Sequence, residues 1–420
     1  MILVSTIFAI ASGAQVKLTL SQAVELARDS SANIRMAASR VVEAEAKRSE
    51  AKARLMPEVT ASASQMQRSY NFLTGGIEFP GFPARVPFYS IQDVRLGVKG
   101  PLYAPSAWFA RSAAEIGVQA KRSEREALRE DAALRAGLAW VALGKAQALE
   151  KDRDDALALA LELERIASDL KESGVSTGLD LLRARSQVVA SQRALEAAHQ
   201  SRDQASIGLA RELGLTEFDT IAVAGSLPLE PSAVVVAQDG FESARIQGAR
   251  QARSAAERDV AASRARFLPT VGFEADYGYS GRHLADDGEW TGQVGLFAEW
   301  SLWDGGSDDA RLAQARERER QAALAATEIA RTTSLDRHDA IRTLDRTREG
   351  LRLATVQAAL ADSQIVLARD RFREGGSGNL EVVQAQAERN AAHAAWIDAA
   401  GAHQAALVRL RWATGRWDGI

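Results

Sequence analysis

The sequence predicts a mainly α-helical chain with inserted membrane β-strands, built by internal duplication. Three observations predict it. Gly174, Leu179, Asp180, Leu181, Ala184, Leu209 and Gly214 recur as Gly375, Leu380, Glu381, Val382, Ala385, Leu410 and Gly415, each 201 positions later (375 − 174). Two proline-free stretches, from about Ser106 to Ser173 and from about Gly306 to Glu374, carry apolar residues at steps of three and four. Two pairs of roughly ten-residue segments alternate apolar with polar residues at equivalent places in the two halves.

The duplication extends upstream of the tips. Arg54-Leu55-Met56-Pro57 is echoed by Arg266-Phe267-Leu268-Pro269, and Leu102-Tyr103 by Leu302-Trp303. The offsets there are 212 (269 − 57) and 200 (302 − 102), so the first copy carries about 12 extra residues, read as a longer loop. The expected organisation is a signal peptide at 1–14, a first repeat at 15–214, a connector at 215–240 and a second repeat at 241–420.

Composition narrows the class. Among 420 residues only 6% are aromatic and 9 are proline, while alanine abounds, which favours long helices over compact mixed domains. A net charge of −3 offers no electrostatic case for nucleic acid as a partner. The lack of cysteine excludes disulfides, thiolate metal sites and a lipidated N-terminal cysteine. Beyond the N-terminus there is no apolar run long enough for a transmembrane helix.

Ile2 to Ile10 is an apolar run followed by the small residues Ser12-Gly13-Ala14, the pattern of an export signal matured near Gln15. The positive n-region is missing, which predicts a translation start a few codons upstream. A helix is then expected over Ser21 to Leu55, with Ser21 as its N-cap and Pro57 as its stop. A shorter helix in the second copy runs from about Gly240 to Pro269. The connector holds Pro228, Pro231 and the apolar run 233–237, read as a short strand or helix.

Strands are expected at about 57–70, 90–102, 269–280 and 291–303. In the third, Val271, Phe273, Ala275, Tyr277 and Tyr279 alternate with Gly272, Glu274, Asp276 and Gly278. In the fourth, Val294, Leu296, Ala298, Trp300 and Leu302 alternate with Gln293, Gly295, Phe297 and Glu299. Aromatics gather where such strands leave a bilayer: Tyr103, Trp108, Trp300 and Trp303 at one end, Tyr277, Tyr279 and Trp290 at the other. Soluble sandwiches alternate too, so the membrane reading rests on the combination with an export signal.

Each long helix would extend on the order of 100 Å at 1.5 Å per residue. Its seam reads Ala156, Leu159, Leu163, Ile166 and Leu170 in the first copy, and Leu351, Ala354, Ala358, Ala361, Ile365, Ala368 and Phe372 in the second. The returning helices read Leu181, Ala184, Val188, Ser191, Leu195 and Ala198, then Leu380, Val383, Ala387, Asn390, Ala394 and Ile397. So many Ala and Ser let helix axes approach closely and suit a wall of helices. Gly174 and Gly375 stand where a left-handed C-cap turns each hairpin. Four strands cannot close a barrel, and open edges are not tolerated in lipid, so a membrane-spanning form needs more than one chain.

With the tip pattern G-x-x-x-x-L-[DE]-[VL]-x-x-A present at both Gly174 to Ala184 and Gly375 to Ala385, the chain resembles the TolC-like outer membrane efflux proteins along nearly all its mature length. That resemblance implies a homotrimer. Its four strands per chain would form a twelve-stranded transmembrane barrel in the outer membrane of a Gram-negative-type bacterium. A long α-helical barrel of coiled-coil hairpins would continue it through the periplasm. The implied function is an exit duct in a tripartite efflux or type I secretion system, docked to a periplasmic adaptor and an inner membrane pump of RND, ABC or MFS type. By the same resemblance Gly174, Leu179, Gly375 and Leu380 are expected at the adaptor-contacting tips, and Asp180, Phe372, Glu381 and Gln384 at the gated aperture. Three copies of Glu381 would form a cation-attracting ring. Gln384 stands where some members carry a second acid, so the resemblance implies a single ring, and Phe372 lacks the tyrosine hydroxyl that would bond the gate shut. Arg183, Arg369, Arg371 and Arg373 are candidate partners for Asp180.

Catalytic patterns are poor, and no cofactor motif is present. Gly174-Val175-Ser176-Thr177-Gly178 spells the G-x-S-x-G elbow, but that motif works on a strand-to-helix turn and helices flank it here. His199, His283, His338, His393 and His403 lack metal-ligand spacing and read as surface or interface residues. An enzyme is not expected. The competing class is a non-channel coiled-coil structural or adaptor protein of the periplasm, which has no need of two strand pairs at equivalent places.

Overall fold

The computed structural model describes residues 16–71, 76, 81, 85–215, 221–225, 243–283, 288–374, 378–415 and 417. The expected signal peptide and the apolar run 233–237 lie outside the described residues, as does Gly375. The elements, in order, are β1 (Val16–Leu18), α1 (Leu20–Ser30), α2 (Ala32–Ala53), β2 (Glu58–Asn71), β3 (Arg85–Tyr103), α3 (Pro105–Glu172) and α4 (Gly178–Leu213). Then follow β4 (Ile221–Val223), α5 (Ala244–Arg264), β5 (Thr270–Gly281), β6 (Glu289–Glu299), α6 (Ser307–Arg373) and α7 (Asn379–Thr414). The chain divides into two compact units: 1–39 with 123–247 and 328–420, and 40–122 with 248–327.

In the first, helical unit the opening helix begins one residue before the expected Ser21 cap. Thr19 is the N-cap: its hydroxyl accepts from the Gln22 amide while the Gln22 side chain accepts from the Thr19 amide, a reciprocal capping box. The single expected helix is two, because Ser31 is extended between α1 and α2 and its hydroxyl accepts from the Ile34 amide. β1 pairs in parallel with β4, and the buried Trp140 donates its indole N–H to the Leu18 carbonyl at 2.8 Å. Around this small sheet Ala23, Val24, Ala27, Leu143, Leu209, Leu213 and Val408 form the largest core. The connector therefore holds a strand, at Ile221–Val223.

The second unit is built on one antiparallel sheet in the order β2-β3-β5-β6. β3 is longer than expected because Arg85 and Val86 still pair with Asn71 and Tyr70, beyond the point where β5 ends opposite Gln92. The extra residues of the first copy thus lengthen a hairpin as well as its loop. β6 is shorter than expected and stops at Glu299. Its partner β5 begins at Thr270 directly after Pro269, which has no N–H to donate, so Trp300, Leu302 and Trp303 lie past the strand. Among the described residues no helix is long and apolar enough to cross a membrane.

Candidate functional site

Register sorts the four strands into two faces, because directly paired residues point the same way. One face carries Val59, Ala61 and Ala63 on β2, then Val98, Leu96 and Val94 on β3. It continues through Ala275, Tyr277 and Tyr279 on β5 to Val294, Gly292 and Trp290 on β6. Over these positions it is apolar, most exposed on β6, where Val294 is 87% and Leu296 76% accessible, and it turns polar beyond Ala63 at Gln65, Gln67, Ser90 and Gln92. The opposite face carries Thr60, Ser62, Asp93, Arg95, Glu274, Asp276, Gln293 and Glu299. On it Arg95 lies across Gly278, where a Cβ would meet the arginine side chain at 2.5 Å. From there the guanidinium donates to Asp276 at 2.6 Å, to Asp93 at 2.9 Å and to Thr291 at 3.3 Å. Among the described residues strands β2 and β6 pair with one strand each, so they form the two outer edges of the sheet.

The aromatics sit at the two ends of this sheet. Tyr277 stacks on Trp290 with centroids 5.4 Å apart, and Tyr279 meets the same indole edge-on at 6.0 Å. At the other end Tyr103 meets Trp108 edge-on at 5.4 Å, and Trp300 donates its indole N–H to the Phe267 carbonyl at 3.0 Å. Trp303 is 86% exposed.

In the helical unit the two hairpin ends are brought together. Gly174 adopts φ 74°, and the Val175 and Ser176 amides donate back to the Leu170 carbonyl, which closes the end of α3. Thr177 caps α4 and Asp180 completes a capping box. The carboxylate accepts from the Thr177 hydroxyl at 2.6 Å, the Thr177 amide at 3.2 Å and the Ser176 hydroxyl at 3.2 Å. These bonds, the Thr177 hydroxyl first, hold the Asp180 carboxyl below its ordinary range, with Arg183 adding a weaker pull at 3.6 Å. Ser176, the serine of the G-x-S-x-G string, donates to Asp180 in a helix-to-helix turn, not in the strand-to-helix turn on which that motif works.

The second tip differs. Gly378 is the N-cap of α7 and offers no side chain, so Glu381 is free of a box and pairs instead with Arg371 at 2.9 Å. The other arginines do not reach Asp180. Arg373 pairs with Glu162 at 3.1 Å, and Arg369 lies near Glu162 and Asp370. Phe372 is buried with Leu163, Ile166, Leu181, Ala184, Ile365 and Val382 in a tip core. Leu179, Leu380, Glu381 and Gln384 are exposed. Asn379, fully buried, donates to the Asp180 carbonyl at 2.6 Å and ties one hairpin end to the other.

Two expectations are corrected. The seam of α7 is Val382, Ala385, Ala392 and Ile397; Leu380 and Ala387 face solvent, so the expected phase is wrong before Ile397. The repeat offset already places Val382 and Ala385 opposite Leu181 and Ala184, and the packing follows it. Nor are all histidines superficial. His403 is buried, and burial pushes its pKa down, while His393 lies between Asp152 and Asp362. No signal in the sequence separates these two from the half-buried His199, since alanine-rich helices hide which face is inside.

The family model of outer membrane efflux proteins matches residues 23–215 and 242–416. The chain belongs to this family. Comparison with curated proteins finds no match. Among solved structures it is similar to the channel protein CusC at 17% identity, with TM-score 0.81 over 97% of this chain and 96% of that one. It is also similar to the outer membrane protein VceC of Vibrio cholerae, at 18% identity and TM-score 0.78 over 94% and 96%. A third likeness is to the open-state MtrE channel of Neisseria gonorrhoeae, at 19% identity and TM-score 0.72 over 94% and 89%. At these identities the likeness is one of fold. The family is one of channels and not of enzymes, and the solved relatives are outer membrane channels.

Proposed function

We propose that the chain is the outer membrane exit duct of a tripartite efflux or type I secretion system. Three copies join β2 of one to β6 of the next into a twelve-stranded barrel, apolar face to lipid and polar face to the lumen. The helical hairpins continue the duct into the periplasm. The observation that carries this reading is the four-stranded sheet with an exposed apolar face and two outer edges, which lipid tolerates only in a closed ring. Tyr103, Trp108, Trp300 and Trp303 mark one membrane interface, and Tyr277, Tyr279 and Trp290 the other. A scaffold or adaptor would leave this sheet without a use.

Gly174, Leu179, Gly375 and Leu380 are assigned to the adaptor contact, and the energy comes from an inner membrane pump of RND, ABC or MFS type. Asp180, Phe372, Glu381 and Gln384 line or support the aperture. Of the two acids Glu381 supplies the charge there, because Asp180 spends its oxygens on its own helix cap while Glu381, among the described residues, pairs with the exposed Arg371. Conductance of the purified protein in planar bilayers tests this. Wild type is expected to be cation-selective and Glu381→Gln less so; a protein that never inserts removes the duct, and unchanged selectivity removes the ring.

A further inference from the structure

An ionic node, buried on its Asp152 side and open on its Asp362 side, joins the two hairpins well away from their ends. Asp152, on α3 of the first hairpin, is 7% exposed, and its carboxylate stands 3.0 Å from Nδ1 of His393 on α7 of the second. The other imidazole nitrogen, Nε2, lies 2.9 Å from Asp362 on α6. Arg389, one turn before His393, donates its Nε–H to Asp362 at 3.0 Å and brings Nη1 to 3.7 Å from Asp152. The charged groups facing the imidazole are thus Asp152 from α3, with Arg153 behind it at 3.7 Å, Asp362 from α6, and Arg389 on its own helix. The ring of Trp396 covers one side edge-on at 5.8 Å.

Both ring nitrogens face carboxylate oxygens. A neutral imidazole has one N–H only and would turn a lone pair on one of the two carboxylates, whereas the imidazolium donates to both. We infer that doubly protonated His393 is a proton-dependent bolt that holds the second hairpin against the first, so that losing its proton frees the tips to part. The inference rests on the duct reading, in which opening means separating the hairpins.

Other ties cross the same seam: Asn379 to the Asp180 carbonyl, Gln386 to the Ala156 carbonyl at 3.3 Å, and Arg373 to Glu162. The Asn379 and Gln386 ties join uncharged groups, whereas His393 carries a titrating imidazole. The Asp152 hydrogen bond, aided by the charges of both carboxylates, raises the His393 pKa against burial and the nearby Arg389. With the folded value raised, the bolt is fully set below the ordinary histidine range and is lost as pH rises through the raised value.

The test uses the full chain in planar bilayers from about pH 5.5 to about pH 8.5, comparing wild type, His393→Gln and His393→Arg, with hydrogen exchange of the amides flanking Leu181 and Val382 in parallel. Wild type is expected to open about threefold or more as pH rises, the gain of losing a modest ion pair. The glutamine variant should be open-biased and the arginine variant shut-biased, both flat with pH. A purely packing role would loosen both variants alike. That result, or a wild-type slope kept in either variant, overturns the bolt. If nothing conducts, the duct reading fails, and exchange alone decides the bolt: at acid pH, weaker protection in His393→Gln with protection kept in His393→Arg upholds it, and equal protection in all three or loss in both variants removes it.

Discussion

At the residue scale, the two tip acids show how one position in a duplicated pattern takes two roles. Asp180 and Glu381 occupy equivalent places 201 residues apart (381 − 180), yet the cap residue before each differs: Thr177 in one, Gly378 in the other. The threonine draws the aspartate into its helix cap, and the glycine leaves the glutamate outside. Thr177→Ala should cost about 1 kcal/mol of thermal stability, the usual worth of a cap. Asp180→Asn should lower the melting temperature near neutrality and converge with wild type in acid. The sign follows from a folded pKa held below the ordinary value: the contribution is present above that value and is lost as pH falls through the depressed one. Melting curves of both proteins across pH check this, and a gap that persists in acid would contradict it.

At the element scale, the strands and the helices depend on opposite kinds of burial. Along β6, Val294 points to the proposed lipid face and Gln293 to the lumen, so Val294→Arg should cost about 2–4 kcal/mol in bilayers while Gln293→Arg stays near neutral. Refolding titrations into lipid vesicles measure the difference, and equal effects would argue against a lipid-facing sheet. At the tip, Phe372 is 2% exposed among leucine, isoleucine and alanine side chains. Phe372→Ala should therefore destabilise by about 3–5 kcal/mol, read from thermal or denaturant unfolding. Much of this layer was legible beforehand. Alternation of period two gave both faces of β5 and β6, and proline spacing gave the ends of the helices before the strands. The seam of α7 was not legible from stepping alone, because Leu380, Val383 and Ala387 step as well as Val382, Ala385 and Ala392 when half the residues are small. Strand ends were missed where the limit is set by the partner's Pro269 and not by the strand's own residues. The Thr19 cap was missed because Ser21 offers the same chemistry two positions on.

At the scale of the whole molecule, each unit leaves its work unfinished within one chain. Among the described residues the sheet has an exposed apolar face, and β2 and β6 stand at its outer edges. In the helical unit Leu353, Val356, Leu360 and Leu367 form a second exposed apolar stripe on α6, beside the buried Leu351, Ala358 and Ile365. Both features suit an assembly of copies around an axis, and the absence of cysteine makes the arrangement easy to trap. The most direct measurement pairs one cysteine on each edge strand, Ser62→Cys on β2 and Gln293→Cys on β6, with register neighbours tried in turn, in membranes under mild oxidation. Edge-to-edge closure predicts that single-cysteine proteins stay uncross-linked and that the paired variant yields covalent dimers and trimers and no larger species. A paired variant that remains monomeric at every register, or that builds an unlimited ladder, would contradict the closed barrel.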